Sequence, residues 1–298
     1  MSHNKTTFAN HNCYTISNAA LTLYATADLG PRLIGLVLNG RDDNLLATVP
    51  HASATTPSGR TYQFHGGHRL WHAPEHPERS YIPDDRPPIV TPYARGLQLS
   101  QPLHPDTGLT NTITITLPDD SPRLIIDHTI RNHTLWPLTL APWAITQFPP
   151  GGFAILPQNT TDTGLLPNRH LAIWPYTPLN SPYIQWDNPF IFIHAKLTDK
   201  KIKIGWPNPH GWLAYWRDRV LFVKQAAYQP NATYPDNNSN SECYADEHIL
   251  ELETLGPLGV VQPGTAVHHR EIWRIFPNIN LSPDPNLIKP WVNRLSHY

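Results

Sequence analysis

The chain has 298 residues, 22 Lys and Arg against 23 Asp and Glu, and a formal net charge of −1. A balance this even leaves no electrostatic footprint for nucleic acid or an anionic membrane surface, and no apolar run approaches the length that spans a bilayer. Charged residues make up 15% of the chain, against about 25% in typical domains, so Asn, Thr, Ser and His carry much of the solubility.

In chain order the pattern is of short strands. Residues 13–16 and 21–26 alternate apolar with small or polar side chains, and 33–38 is a branched apolar run followed by Asn39-Gly40, the sequence of a tight hairpin to 45–49. A Pro- and Asp-rich loop covers 83–88. Strands are predicted over 97–100, 109–117 and 123–131; in the second, Thr and Ile alternate, as in a strand with one wet and one buried face. Pro137 and Pro142 make 135–148 a poor helix. Further strands fall at 153–156, 190–197, 201–205, 211–217, 219–228, 247–255 and 265–276, with loops at 162–169 and 234–242 and a C-terminal tail. The 33 prolines are spread as turn formers and strand enders. With almost no amphipathic helix and no composition shift, the expectation is one all-β domain over 1–298, an antiparallel sandwich or barrel.

Cys13 and Cys243 are the only cysteines. Two thiols do not make a disulfide framework, and the N-terminus lacks the apolar segment of a secretion signal. Both point to free thiols in a reducing, cytoplasmic setting.

Three stretches can carry chemistry. The first is Phe64-His65-Gly66-Gly67-His68-Arg69-Leu70-Trp71-His72-Ala73-Pro74-Glu75-His76. Its Gly-Gly pair permits a tight turn, its imidazoles can exchange protons near neutral pH, and Arg69 and Trp71 add a donor fork and a flat apolar face. A His-rich surface loop would read the same way. A metal at His65, His68 and His72 is another possibility, although the spacing matches no defined zinc motif. In the second, Glu247–Leu258, the period of a strand puts Glu251 and Glu253 on one face and Leu250, Leu252 and Thr254 on the other; that face is either solvated or lines a hollow with a general base. In the third, 140–148, Trp143 and Gln147 suit a sugar platform of aromatic face and amide, or a packed core. Nucleophile elbow, phosphate loop and dinucleotide fingerprint are all missing, and no cofactor is expected.

Taken together, the chain resembles the galactose mutarotase-like superfamily, the aldose epimerases and their relatives, and more narrowly a bacterial branch of it. The carrying residues are Gly30-Pro31-Arg32-Leu33-Ile34-Gly35-Leu36, His65-Gly66-Gly67-His68-Arg69-Leu70-Trp71 with Ala73-Pro74-Glu75, Ala141-Pro142-Trp143 with Gln147, Pro150-Gly151-Gly152, Glu251-Leu252-Glu253-Thr254-Leu255-Gly256-Pro257, and Pro263-Gly264 with Glu271-Ile272-Trp273. The resemblance implies a β-supersandwich with its ligand on a concave sheet. It also implies a Glu base on the anomeric hydroxyl and a His acid on the ring oxygen. His65 matches the binding His of the family's His-Gly-Gly block, and Glu253, or its neighbour Glu251, lies where the base is expected. The family's Asn-His block resembles Asn132-His133, but counted along the strands Trp143 falls nearer that position, which leaves the acid missing or supplied by His68 or another His. The paired Asn-Arg of true epimerases has no counterpart upstream of His65.

The predicted site is therefore Glu253, His65 and His68 for catalysis and Arg69, Trp71, Glu75, Trp143 and Glu251 for binding, with a small-molecule sugar or sugar derivative as the partner and the oligomeric state open. Three functions compete: an aldose epimerase or related isomerase or lyase, a non-catalytic sugar-binding protein on the same scaffold, and a His-ligated metal enzyme.

Overall fold

A computed structural model describes residues 4–118, 121–198 and 200–295. Among them the chain forms two large sheets and a small ribbon. The front sheet has eleven strands, ten of them in the order Asn4–Phe8, His11–Ser17, Leu21–Thr26, Arg32–Leu38, His68–Ala73, Leu138–Phe148, Leu250–Leu255, Ser241–Ala245, Ile202–Trp206 and Ala172–Ile173. Gly259–Val261 pairs with the start of Leu138–Phe148. The back sheet runs Ile184–Trp186, Phe190–His194, Phe153–Pro157, Trp212–Arg217, Val220–Ala226, Ala266–Phe276, Arg123–Asn132, Leu109–Thr116, Gly96–Ser100 and Ile89–Tyr93. Thr48–Thr55 and Thr61–Gly66 form the ribbon. This is the all-β sandwich of antiparallel sheets that the strand pattern predicts.

Alternation sets which side chains meet between the sheets. In Arg123–Asn132 every second residue from Leu124 is buried, and in Leu109–Thr116 the buried residues Ile113 and Ile115 alternate with threonines. Leu124, Ile126, Ile130, Ile113 and Ile115 join Leu23, Leu33, Leu70, Leu252 and Ile204 of the front sheet in one core.

The same interior holds a polar chain. Lys224 Nζ donates to the carbonyls of Ala144 and Leu252 and to Thr146 Oγ1, at 2.8, 3.0 and 3.0 Å, and lies 2.9 Å from Glu271 Oε1. His128 Nδ1 must donate to the His269 carbonyl, 3.0 Å away, because a carbonyl only accepts. A neutral His128 then accepts at Nε2 from His68 Nε2, 2.8 Å away, and His68 Nδ1 accepts from Thr146 Oγ1 at 2.9 Å. Trp273 Nε1 and Thr254 Oγ1 donate to Glu271.

Two expectations fail. Asn39-Gly40 does turn the chain, with Gly40 at φ 85°, but the return segment 45–49 does not pair back on Arg32–Leu38; its Thr48 and Val49 pair with Thr61–Gly66 in the ribbon. Arg32–Leu38 pairs instead with Leu21–Thr26 and His68–Ala73, because the Asn44 side chain satisfies the Leu36 N–H and the Ile34 carbonyl that a hairpin partner would take. The C-terminal tail contains a helix, Pro285–Leu295. Its Pro290 argues against a helix locally, whereas the burial of Ile288 and the packing of Trp291 on Phe276 supply a tertiary reason for one.

Candidate functional site

The side of the front sheet turned away from the core is lined by polar and aromatic residues. Register carries one set of side chains across it: Arg69 lies opposite Ile145, Trp71 opposite Trp143, Gln147 opposite Glu251, Ile145 opposite Glu253, Glu251 opposite Tyr244, Glu253 opposite Glu242, and Tyr244 opposite Lys203. Above them opens a cavity of about 610 Å³, whose wall includes Phe64, Arg69, Trp71, Glu75, Tyr81, Trp143, Trp174, Tyr176, Lys203, Tyr244 and Glu251. The ribbon closes one side through Val49 and residues 52–54.

Glu251 is the carboxylate on this wall. Its Oε1 accepts from Gln147 Nε2 at 2.7 Å and from Arg69 Nη2 at 3.4 Å. The second contact is longer than the usual charge-assisted bond of about 2.7–2.9 Å. The guanidinium is held as much by Trp71, whose ring centroid lies 4.3 Å below it, a stacking worth about 0.5–2 kcal/mol. Burial pushes the Glu251 carboxyl up to about 7; the Arg69 charge pulls it down and neighbouring Glu253 pushes it further up.

Glu253 shares that face but sits behind the wall with no exposure. Its Oε2 accepts from Trp143 Nε1 at 2.6 Å and from Lys203 Nζ at 3.0 Å. Lys203 Nζ also lies 2.7 Å from Glu242 Oε2 and 4.7 Å from the ring centroids of both Trp143 and Trp174. Burial and Glu253 push the Glu242 carboxyl well up against the pull of Lys203.

The predicted site thus divides. Arg69, Trp71, Glu75, Trp143 and Glu251 share the cavity wall; Glu253, His65 and His68 are not on it. Phe64 reaches the wall, whereas His65, at φ 57°, is off it and packs edge-on to His11 at 5.3 Å. Burial lowers the His65 pKa to about 4. Past the glycines Arg69 faces the cavity and His68 the interior, fully buried in the polar chain. Burial also holds His72 at about 4. Tyr81 O–H donates to Glu75 Oε1 at 2.5 Å.

His65, His68 and His72 form no common ligand set. Among the described residues His68, His128 and Glu271 come within 4.8 Å of one another. The imidazole nitrogens of this trio are all engaged in the polar chain, and Lys224 already neutralises Glu271, so the donors are committed to the protein itself.

Sequence reasoning missed Lys203, Trp174, Tyr176 and Tyr244 as wall residues. A lysine between two isoleucines in a strand, Ile202-Lys203-Ile204, is a usable signal, since Lys rarely goes inside unpaired. Trp174 carries no such mark.

No family model and no curated protein matches the sequence. Solved structures do. A galactose mutarotase-like protein from Lactobacillus casei superposes with TM-score 0.57 at 12% identity over 89% of this chain and 100% of its own. The chain has the galactose mutarotase-like fold. A candidate aldose 1-epimerase from Klebsiella pneumoniae gives TM-score 0.59 at 9% identity over 97% of this chain and 84% of its own. A TPR-domain-containing protein from Parabacteroides distasonis gives TM-score 0.62 at 11% identity over 91% of this chain; there the chain spans about half of the other protein, 48%. Identities this low establish the shared fold and leave activity to the residues.

Proposed function

We propose that the protein binds a sugar in the hollow of the front sheet and that Glu251 exchanges a proton with the anomeric hydroxyl, interconverting the anomers of an aldose. The observation that supports this most is a carboxyl group with a pKa near neutrality, on a wall of tryptophans and tyrosines, in a fold shared with mutarotase-like proteins. A general base works best when its pKa is near the working pH. Aromatic faces suit the C–H bonds of a pyranose, and Arg69 and Gln147 supply donors for its hydroxyls. Ring opening also needs a proton on the ring oxygen. Glu75 with its Tyr81 partner and His248, all on the wall, are the groups that can supply it.

Exchange NMR between the anomers of glucose, galactose and mannose tests this. The wild type should accelerate exchange for at least one aldose, and Glu251→Gln should lower that rate by about 10²–10⁴-fold, the usual contribution of a positioned base, while sugar still quenches tryptophan fluorescence. Unchanged exchange in Glu251→Gln would remove Glu251 from the chemistry.

The second reading is sugar binding without turnover. It is favoured by the absence from the wall of His68, the histidine expected to stand in for the acid, and of His65, matched to the family's binding His. Quenching with no anomer exchange would support it.

A further inference from the structure

The hollow is longer than one sugar ring. Arg69 lies 4.3 Å over Trp71, the Trp71 and Trp143 centroids are 5.4 Å apart, and Lys203 Nζ bridges Trp143 to Trp174 at 4.7 Å from each. This row crosses five strands, from His68–Ala73 to Ile202–Trp206. From the Trp71 ring to the Trp174 ring it spans at most about 15 Å. Glu251 stands on the middle strand of the five, so aromatic surface continues on both sides of it. The cavity of about 610 Å³ lies well inside the range of roughly 300–1,000 Å³ that encloses drug-sized molecules.

The two ends of the row differ. At the Trp71 end, Tyr62 and Tyr81 close on the indole edge-to-face at 5.3 and 5.1 Å, and Trp71 is buried. At the other end Trp174 is half-buried and Tyr176 is 43% exposed, so a ligand can leave the hollow there. Charge on the wall is balanced: Arg69, Lys201 and Lys203 face Glu75, Asp246 and Glu251, and Lys203 is already paired with Glu253. An anionic group would gain no net attraction.

We infer that the ligand is a neutral oligosaccharide of two or more units, with its reducing-end ring at Glu251 and the next unit on Trp174 and Tyr176. This rests on the sugar-binding reading above and adds the length and direction of the ligand.

Calorimetric titration tests it, with glucose, galactose and mannose set against maltose, cellobiose, β-1,4-galactobiose and β-1,4-mannobiose. At least one disaccharide should bind about tenfold or more tighter than its monosaccharide, a difference of about 1.4 kcal/mol. Tyr176→Ala and Trp174→Ala should each reduce that ratio to below about threefold. Tyr176 is exposed enough to be replaced without disturbing the core, and the thermal melt of each variant checks its fold. Equal affinity for every monosaccharide and its dimer would overturn the inference and leave sugar binding standing. A length-dependent gain that survives both substitutions would overturn it as well. If none of the sugars binds, both the inference and the proposed function fall.

Discussion

Glu251 and Glu253 lie two residues apart on one face of one strand and meet different fates. Glu253 is bonded to Trp143 and Lys203. Glu251 has an amide and a distant guanidinium, and burial lifts its pKa from the usual carboxylate range to about 7. Between those values the folded chain holds a proton that the unfolded chain has released, so stability falls as pH rises through that window and levels off above about pH 7. Thermal melts of wild type and Glu251→Gln between about pH 4.5 and 8 should show a Tm difference that moves against the wild type up to about pH 7. A constant difference would mean that Glu251 titrates normally. Lys203→Met leaves Glu253 and Glu242 buried without their cation. Breaking a buried pair in this way costs about 3–5 kcal/mol, which denaturant titration will read, and the loss should be smaller in the Lys203→Met/Glu253→Gln double variant. The shared face of the two carboxylates was legible from strand period alone. Which one reaches the cavity was not, because that depends on Lys203, about fifty residues away in sequence.

At the scale of elements, the Gly66-Gly67 pair joins the ribbon to the front sheet. Both glycines have positive φ, 107° and 75°. A Cβ on Gly67 would fall 2.0 Å from the Leu33 carbonyl oxygen and one on Gly66 2.2 Å from that of Ala47. Neither the backbone conformation nor the space admits a side chain. Gly67→Ala should therefore destabilise by more than about 1 kcal/mol, against the gain of about 0.4–1 kcal/mol where Ala fits, and should shift the Arg69–Trp71 face with it. A gain in Tm would contradict this. The same glycines explain why the site was only half readable. Most strands were legible from alternation and proline placement, but alternation cannot be counted through three successive residues of positive φ, His65, Gly66 and Gly67. Nothing before folding tells that Phe64 and Arg69 share the cavity while His65 and His68 turn away. The helix Pro285–Leu295 escaped for a different reason: its support is tertiary, through Ile288 and Trp291.

At the scale of the whole molecule, the front sheet presents two faces. One meets the back sheet through aliphatics and the Lys224–Glu271 chain; the other carries the hollow. Lys224 holds the Glu271 carboxyl well below the usual range, against the desolvation that would raise it. A depressed carboxyl stabilises the fold above its unfolded pKa, and this contribution is lost as pH falls from about 4.5 toward the folded value. Glu271→Gln should lose about 3–5 kcal/mol at neutral pH, because it strands Lys224 inside, and much less near pH 3. A pH-independent loss would contradict the charge pairing. The family resemblance anticipated the sandwich of large sheets. It could not anticipate that His68 is spent on holding the sheets together.

The most direct test of the account is a crystal structure of the protein soaked with the tightest-binding sugar from the titrations. The account predicts a pyranose in the hollow of the front sheet with its anomeric hydroxyl within hydrogen-bond reach of Glu251. A sugar bound away from the hollow, or one whose anomeric carbon is remote from Glu251, would contradict it.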